Sequence, residues 1–310
     1  GADAGNVATA ARISKSDLLT EMVMEFPELQ GLMGRYYAAA EGYAADIAAA
    51  LDEQYQPRGA GGELPQTRTG LALAIAEKLD TLVGGFAIGA KPTGSKDPYA
   101  LRRMAISLIR LITENGLTLP LTAWLDKSAA QYDAALNAPA HTAAVRDYIL
   151  ERLDSHYREQ GIRSETCQAV LALDSDDLVD IERRIRVLDT FAGSQTAASL
   201  LASAKRIRNI LKKNGERDEA VAADRLIEPA EQALWQSWQS LAPAIDAALA
   251  ESDYRSALDQ LATLGAPLDA FFTDVMVMSD DPALQQNRLA LLTTLQRGFD
   301  QIADLSLLSE

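Results

Sequence analysis

Residues 199–214 read SLLASAKRIRNILKKN, and the spacing of their apolar side chains decides the local structure. The apolar positions are Leu200, Ala204, Ile207 and Leu211, which are separated by four, three and four residues. Residues at this spacing share one face of an α-helix, so the stretch predicts an amphipathic helix with one buried side. Similar spacing recurs along most of the 310-residue chain, and alternating stretches rich in Val, Ile, Thr and Tyr are nearly absent. The sequence therefore predicts an all-α fold.

The polar side of the same predicted helix is strongly basic. Five of the nine residues from 205 to 213 are Lys or Arg, and none is Asp or Glu. The five are Lys205, Arg206, Arg208, Lys212 and Lys213. The whole chain carries 29 Lys+Arg against 44 Asp+Glu, a formal net charge of −15, so this run stands out from its background. From the residues alone, a solvated helix face and a helix that contacts RNA phosphates both remain open.

Length and cysteine content narrow the class of protein. At about 150 residues per domain, the chain predicts roughly two domains, each with its own core. Cys167 is the only cysteine, which excludes an internal disulfide and favours a reducing compartment, so the cytosol is the expected location. No apolar run approaches the ~18 residues of a membrane helix. The chain begins GADAG without Met, and we interpret it as part of a longer protein.

Proline, glycine and capping side chains predict where helices begin and end. Helix starts are predicted at Asp97-Pro98, at Asp281-Pro282 and at Ser175, which is followed by two aspartates. Helix ends are predicted at glycines that adopt a positive φ readily, namely Gly116, Gly161, Gly215 and Gly265. Two segments rich in glycine and proline, residues 56–68 and 84–98, predict long loops, and long ordered loops are often functional.

The sequence shows no complete set of catalytic residues. Residues 89–96, GAKPTGSK, have the glycine spacing of a phosphate-binding P-loop, but their last two residues are transposed and no strand is predicted before them. A structural or RNA-facing loop is the preferred interpretation. The only histidines, His141 and His156, have no metal-binding spacing, and no nucleophile motif is present. The chain is therefore predicted to hold no catalytic residue, no metal and no cofactor.

Apolar side chains near the C-terminus allow two interpretations. They are spaced for one helix face and comprise Phe271, Phe272, Val275 and Met276. This spacing favours packing in the core, and the alternative is stacking on unpaired RNA bases. Asn287 and Arg288 are the polar side chains beside the apolar stripe of the next predicted helix.

Two groups of sequence runs are distinctive. Those in the first part of the chain are DLLTEMVMEFPELQG (17–31), MGRYY (33–37), PR (57–58), ELP (63–65), EKLDTLVG (77–84), PTGSKDP (92–98) and ALRR (100–103). Those near the C-terminus are KRI (205–207), NIL (209–211), FFTDV (271–275), VM (277–278) and NRLALL (287–292). In order and length they resemble the β subunit of bacterial heterotetrameric glycyl-tRNA synthetase. The second group resembles its helical anticodon-binding domain, which is named after an Asp-Ala-Leu-Arg signature.

The resemblance implies that the enzyme has two kinds of subunit with different roles. In that family the α subunit activates glycine with ATP and Mg, and the β subunit supplies tRNA recognition. The chain would then be a noncatalytic part of a glycine–tRNA ligase subunit. The implied domains are an HD-like helical portion at 1–140, a connecting helical segment at 141–195 and a helical-bundle anticodon-binding domain at 196–310. The His-Asp pair of an HD metal site is absent from the chain, and Ala204 stands where the family often has Asn.

The resemblance makes the basic helix the predicted tRNA site. The residues predicted to bind tRNA are Lys205, Arg206, Arg208, Asn209, Lys212, Lys213 and Arg288, with Asn209 and Arg288 reading base edges. The implied partners are glycine tRNA and the α subunit, and no membrane is expected. The alternative is a protein-interaction scaffold that docks the α subunit while the RNA contacts lie upstream. A third reading, an HD-type phosphohydrolase, would require a bound metal and the missing His-Asp pair.

Overall fold

A computed structural model describes residues 1–59 and 61–308, and the all-α prediction is confirmed. No strand occurs among these residues, whose only β-type contacts are two isolated bridges. None of the helices described is long and apolar enough to cross a membrane. The chain divides into two compact units. The first comprises residues 1–153 and 176–179, and the second comprises residues 154–175 and those from 180 onward. The three-part division at 140 and 195 stays a prediction.

The first unit is organised around one long central helix. Its helices are α1 (Ala4–Ile13), α2 (Glu21–Glu25), α3 (Leu32–Ala40), α4 (Ala45–Glu53), α5 (Arg68–Ala87), α6 (Leu101–Thr113) and α7 (Leu121–Ala129). Helices α1, α4, α6 and α7 all pack against α5. Leu82 and Val83 of α5 are fully buried, so this helix forms the middle of the apolar core.

The second unit is organised around the basic helix predicted from residues 199–214. Helices α8 (Thr142–Glu159) and α10 (Leu178–Ala192) each contribute residues to both units. The other helices are α9 (Ser164–Leu171), α11 (Ala197–Asn214), α12 (Pro229–Ala250), α13 (Tyr254–Ala262), α14 (Gly265–Asp274) and α15 (Pro282–Asp300). Helix α11 packs against α13, α14, α15 and the short 3-10 helix Leu305–Leu307. Its predicted buried face is confirmed, because Leu200, Ala204, Ile207 and Leu211 are all buried.

Several predicted helix ends are confirmed by the backbone geometry. Asp281 caps α15 by accepting the N–H of Ala283 at 2.8 Å, and Pro282 is the first residue of that helix. Helix α10 begins at Leu178, shortly after the start predicted at Ser175. The glycines that follow α6, α8 and α11 have φ angles of 60°, 88° and 81°, and they are Gly116, Gly161 and Gly215.

Two predicted helix boundaries are wrong, one start and one end. Helix α6 begins at Leu101 rather than at Pro98, and Asp97 accepts the N–H of Leu101 at 2.8 Å from outside the helix. Gly265 does not end a helix but opens α14. A Cβ at this position would lie 3.0 Å from the hydroxyl oxygen of Ser199, so glycine here permits the close approach of α14 to α11.

The two predicted loops are found, the second with a different start. The first lies between α4 and α5 and ends where Thr67 caps α5, although residue 60 lies outside the described residues. The second begins at residue 88 instead of 84, because α5 continues through Gly84 and Gly85 to Ala87. These glycines lie within the helix because the hydroxyl of Tyr132 and the side chain of Leu101 pack directly on them.

Candidate nucleic-acid interface

Helix α11 presents one polar face because its opposite face is buried. Lys205, Arg206, Asn209 and Lys213 are exposed along about two helical turns, over roughly 12 Å. With Met278 they line an open groove of about 730 Å³, which we call the α11 groove. The remaining lining residues are Ala202, Ile210 and Asn214. The groove thus combines three cations, two side-chain amides and apolar surface, which are the components that bind phosphates, base edges and base faces.

The orientation of one groove cation is set by an aromatic ring. The guanidinium carbon of Arg206 lies 4.2 Å from the centroid of the Phe272 ring. Attraction between a cation and an aromatic face holds the guanidinium plane in place and leaves its edge able to donate hydrogen bonds to an anion. Phe272 itself is only 9% exposed, so this ring supports a cation and does not offer a stacking face to solvent.

Two of the predicted tRNA-binding residues on α11, Arg208 and Lys212, lie outside the α11 groove. Nη2 of Arg208 lies 2.9 Å from Oδ1 of Asp300 and 3.0 Å from Oδ2 of Asp304. Burial raises the pKa of Asp300, and the neighbouring Arg208 opposes that rise by favouring the ionised carboxylate. Arg208 therefore ties α11 to the end of α15 and the residues that follow. Lys212 is exposed but does not line the groove. The RNA contacts expected of both residues stay predictions.

Arg288 is the predicted residue with the most enclosed surroundings. Its side chain is 5% exposed and that of Glu231 is 0% exposed. Nε of Arg288 donates to Oε1 of Glu231 at 2.7 Å, Nη2 donates to the same oxygen, and Nη1 donates to the carbonyl of Met276 at 2.8 Å. The guanidinium thus joins α15 to α12 and to the segment after α14. Asn287, the other polar residue noted there, pairs with the backbone of Ala222.

The segment after α14 alternates between buried and exposed side chains. Val275 and Val277 are buried, whereas Met276 is 72% exposed and Met278 is 43% exposed. The prediction that Met276 belongs to the core is therefore wrong, while Phe271, Phe272 and Val275 are buried as the spacing favoured. The sequence signal for this exposure is the period-two pattern Val-Met-Val-Met at 275–278, which indicates an extended segment with one solvent-facing side.

The other sequence motifs lie outside the α11 groove. Residues 89–96 follow α5 and not a strand, and their turn is closed by hydrogen bonds between the backbones of Thr93 and Lys96. His141 lies in the short 3-10 helix Ala138–His141, and Nε2 of His156 is 2.9 Å from the side-chain nitrogen of Gln160. Throughout residues 1–59 and 61–308, no cluster of three or more His, Cys, Asp or Glu side chains is arranged to hold a metal ion.

Two protein-family models match successive parts of the chain. Residues 2–172 match a model described as the glycyl-tRNA synthetase beta subunit, and residues 200–305 match a model described as the DALR anticodon binding domain. The second match contains α11, the Met276 segment and Arg288, so it covers every residue described above as lining or supporting the α11 groove.

Curated relatives are similar over nearly the entire chain. A glycine–tRNA ligase beta subunit of Dichelobacter nodosus is 59% identical over 308 residues, covering 99% of this chain and 45% of the relative. Proteins of the same name are 46% identical in Methylobacillus flagellatus, covering 99% of this chain and 43% of the relative, and 46% identical in Pseudomonas aeruginosa, covering 99% and 45%. The chain thus spans a little under half the length of these relatives.

Proposed function

The chain belongs to the glycyl-tRNA synthetase β-subunit family, and we propose that its α11 groove binds the anticodon loop of glycine tRNA. The observation that carries the proposal is the clustering of Lys205, Arg206, Asn209 and Lys213 around one open groove. Their concentration on a chain with a net charge of −15 indicates a site for a polyanion, since most of the remaining surface would repel one.

The composition of the groove fits a loop of unpaired RNA in particular. Lysine and arginine side chains neutralise phosphates, which supplies affinity and makes it dependent on salt. The amide of Asn209 offers both a donor and an acceptor for the edge of a splayed base. The exposed side chains of Met276 and Met278 provide apolar surface on which a base face can rest. A double helix would hide its base edges and faces, whereas an anticodon loop presents them.

In this proposal Arg288 is a positioning residue. Its hydrogen bond to the carbonyl of Met276 holds the exposed methionine segment, and its pair with Glu231 anchors that segment to α12. The groove cations then act on the RNA directly, while Arg288 determines where Met276 and Met278 stand relative to them.

The role in aminoacylation is proposed from the family as a whole. By holding the anticodon end, the chain orients the acceptor end toward an α subunit that activates glycine with ATP and Mg. The chain itself contributes position and no catalytic residue, and its place of action is the cytosol. Because the chain spans less than half of its relatives, the assembled enzyme's activity and its α-subunit contact belong to this proposal.

A docking scaffold for the α subunit is the second candidate, and one observation favours it. Residues 18–36 expose large apolar side chains, including Leu19 at 80%, Met24 at 65% and Tyr36 at 62%. Exposed glutamates alternate with them in the sequence at Glu21, Glu25 and Glu28. An apolar patch with a charged rim is typical of a protein interface. This role would be tested by whether Leu19→Ser with Met24→Ser abolishes binding of the α subunit.

The test of the proposed function compares two RNAs with the intact chain. Binding of a fluorescein-labelled glycine anticodon stem-loop is measured by anisotropy at two salt concentrations, beside the same stem-loop with altered anticodon bases. We expect salt-sensitive binding of the first RNA and at least tenfold weaker binding of the second, since a mismatched base contact costs about 1–3 kcal/mol. Equal affinity for both RNAs, or no binding of either, would refute anticodon recognition by this chain.

A further inference from the structure

The loop between α5 and α6, together with the first turn of α6, carries a second concentration of positive charge, in the first unit. Residues 88–103 read IGAKPTGSKDPYALRR and contain four cations against one carboxylate, on a chain whose net charge is −15. The cations are Lys91, Lys96, Arg102 and Arg103. In the part of the chain that the structure describes, none of these four forms an ion pair with a carboxylate.

The one carboxylate of this loop is engaged by the helix that follows. Asp97 accepts the N–H of Leu101 at 2.8 Å and the N–H of Arg102 at 3.1 Å. These amides form the N-terminus of α6, where the helix dipole already favours a negative group. The charge of Asp97 is therefore directed at the backbone, and the outer surface of the loop keeps its positive potential.

The loop is braced by its own hydrogen bonds. The N–H of Thr93 donates to the carbonyl of Lys96 at 3.1 Å, and the N–H of Lys96 donates back at 2.9 Å. Nη2 of Arg102 donates to the carbonyl of Gly94 at 2.6 Å, which joins the tip of the turn to α6. A braced loop presents its cations at defined positions, so less conformational entropy is lost when a ligand binds.

Exposed aromatic and apolar side chains accompany these cations. Tyr99 and Ile88 are each 53% exposed, and Lys91, Lys96 and Arg103 of the same 16-residue stretch are exposed as well. Bases and riboses stack on exposed aromatic rings while lysine and arginine contact the neighbouring phosphates. An acidic peptide would use the cations but has no need of an exposed tyrosine, so the combination favours RNA.

We propose that this surface, formed by Ile88, Lys91, Lys96, Tyr99 and Arg103 and here called the α5–α6 surface, binds the sugar-phosphate backbone of RNA. Tyr99 stacks on a base or ribose, and the three cations contact phosphates. The inference goes beyond the anticodon-side proposal and does not depend on it, because the α5–α6 surface and the α11 groove lie in different units.

The experiment uses the full chain and an RNA that the α11 groove is not proposed to recognise. The probe is a fluorescein-labelled RNA hairpin with a single-stranded 3′ tail and no anticodon sequence. The test variant is Lys96→Glu with Arg103→Glu. The control is Arg12→Glu with Arg35→Glu, two exposed arginines of the same unit, which changes the net charge equally.

We expect the test variant to bind the hairpin more weakly and the control to bind it like the wild type. Each lost phosphate contact lowers the slope of log affinity against log salt by about 0.7–0.9. Between 50 and 200 mM salt, the wild type should therefore lose about tenfold more affinity than the test variant. Tyr99→Ala should weaken hairpin binding about tenfold without changing this slope. Tyr99→Phe should bind the hairpin like the wild type, because stacking needs only the ring.

Several outcomes would overturn the assignment. The proposal would be wrong if the wild type did not bind the hairpin. It would also be wrong if the test and control variants lost hairpin affinity equally. Competition by polyglutamate as effective as that by unlabelled hairpin would assign the surface to acidic proteins. Binding of the anticodon stem-loop is measured in parallel. Unchanged stem-loop affinity in the test variant separates this surface from the α11 groove, so failure of one proposal leaves the other intact.

Discussion

Arg288 and Glu231 form an ion pair in which both side chains are almost completely enclosed, with Nε of Arg288 2.7 Å from Oε1 of Glu231. The two residues lie 57 positions apart, on α15 and α12. The same guanidinium donates to the carbonyl of Met276, so this pair holds the methionine segment beside the α11 groove. Two enclosed charges of opposite sign depend on each other, because either one alone would be desolvated without compensation.

This dependence predicts a strongly non-additive mutant cycle. Arg288→Met or Glu231→Met alone should lower the free energy of unfolding by about 3–5 kcal/mol, because each leaves an unpaired buried charge. The double variant should be less destabilised than either single variant. Urea unfolding followed by tryptophan fluorescence measures all three, and additive losses would contradict the pairing.

The folded double variant also distinguishes positioning by Arg288 from direct RNA contact. If Arg288 positions the methionine segment, stem-loop affinity should fall while the salt slope stays at the wild-type value. A direct phosphate contact would instead lower the slope by about 0.7. Affinity titrations at several salt concentrations provide this measurement.

Arg206 and Arg208 are two neighbours on α11 with different expected roles. Arg206→Gln should lower the slope of log affinity against log salt by about 0.7, since it removes one groove cation that we propose to contact a single-stranded phosphate. Arg208→Gln changes the charge equally but should leave the slope close to wild type and reduce stability, because Asp300 and Asp304 lose their partner. A larger slope change for Arg208 would place the RNA on the opposite side of the helix.

The exposed methionine that lines the groove should contribute affinity without charge. Met278→Ala is expected to weaken stem-loop binding about 5- to 30-fold, because it removes apolar surface worth about 1–2 kcal/mol against a base, and to leave the salt slope unchanged. Met22→Ala, which truncates an exposed methionine of the first unit, is the matched control. Equal effects of the two substitutions would argue against a stacking role for Met278.

Cys167 should be protected from thiol reagents in the folded protein. Its side chain is fully buried, and burial raises the pKa of its thiol to about 12, with further contributions from Asp154 and Asp189. At pH 8 we expect reaction with a disulfide reagent to be at least a hundredfold slower than for free cysteine and to accelerate on unfolding in urea, since the thiolate is the nucleophile. Labelling at the rate of free cysteine would contradict this burial.

The same shift has a consequence for stability at alkaline pH. The unfolded thiol ionises near its ordinary value of 9.0, whereas the folded thiol retains its proton up to about 12. The folded state therefore binds more protons in that window, and the free energy of unfolding should fall as pH rises from 9 toward 12. Cys167→Ala should show a smaller fall over the same range in urea titrations, and an identical fall in both proteins would contradict the assignment.

The sequence predicts the buried face of α11 correctly because helical periodicity is a local property. The positions of Leu200, Ala204 and Ile207 follow from a repeat of 3.6 residues without knowledge of the neighbouring helices. The second loop was placed too early because glycine usually weakens a helix. At Gly84 and Gly85 the close approach of Tyr132 and Leu101 outweighs that tendency, and the sequence pattern contains no sign of those contacts.

The candidate site is predicted only in part for the same reason. The basic run correctly identifies Lys205, Arg206 and Lys213 as surface residues of one helix. The sequence pattern does not separate the cations that line the groove from Arg208. Arg208 instead pairs with Asp300 and Asp304, two acids that lie about 90 positions further along the chain. The pair between Arg288 and Glu231 is equally non-local, so no spacing rule could place that guanidinium inside the protein.

The most direct test of the central claim is a charge reversal in the α11 groove. Lys205→Glu with Lys213→Glu is compared with Arg225→Glu and Arg255→Glu, which alter two exposed arginines elsewhere in the second unit and change the net charge equally. Binding of the glycine anticodon stem-loop is measured from 50 to 200 mM salt. The groove variant should bind at least tenfold more weakly, with a slope reduced by about 1.4, while the control binds like the wild type. Equal binding by the groove variant and the control would contradict RNA recognition at α11.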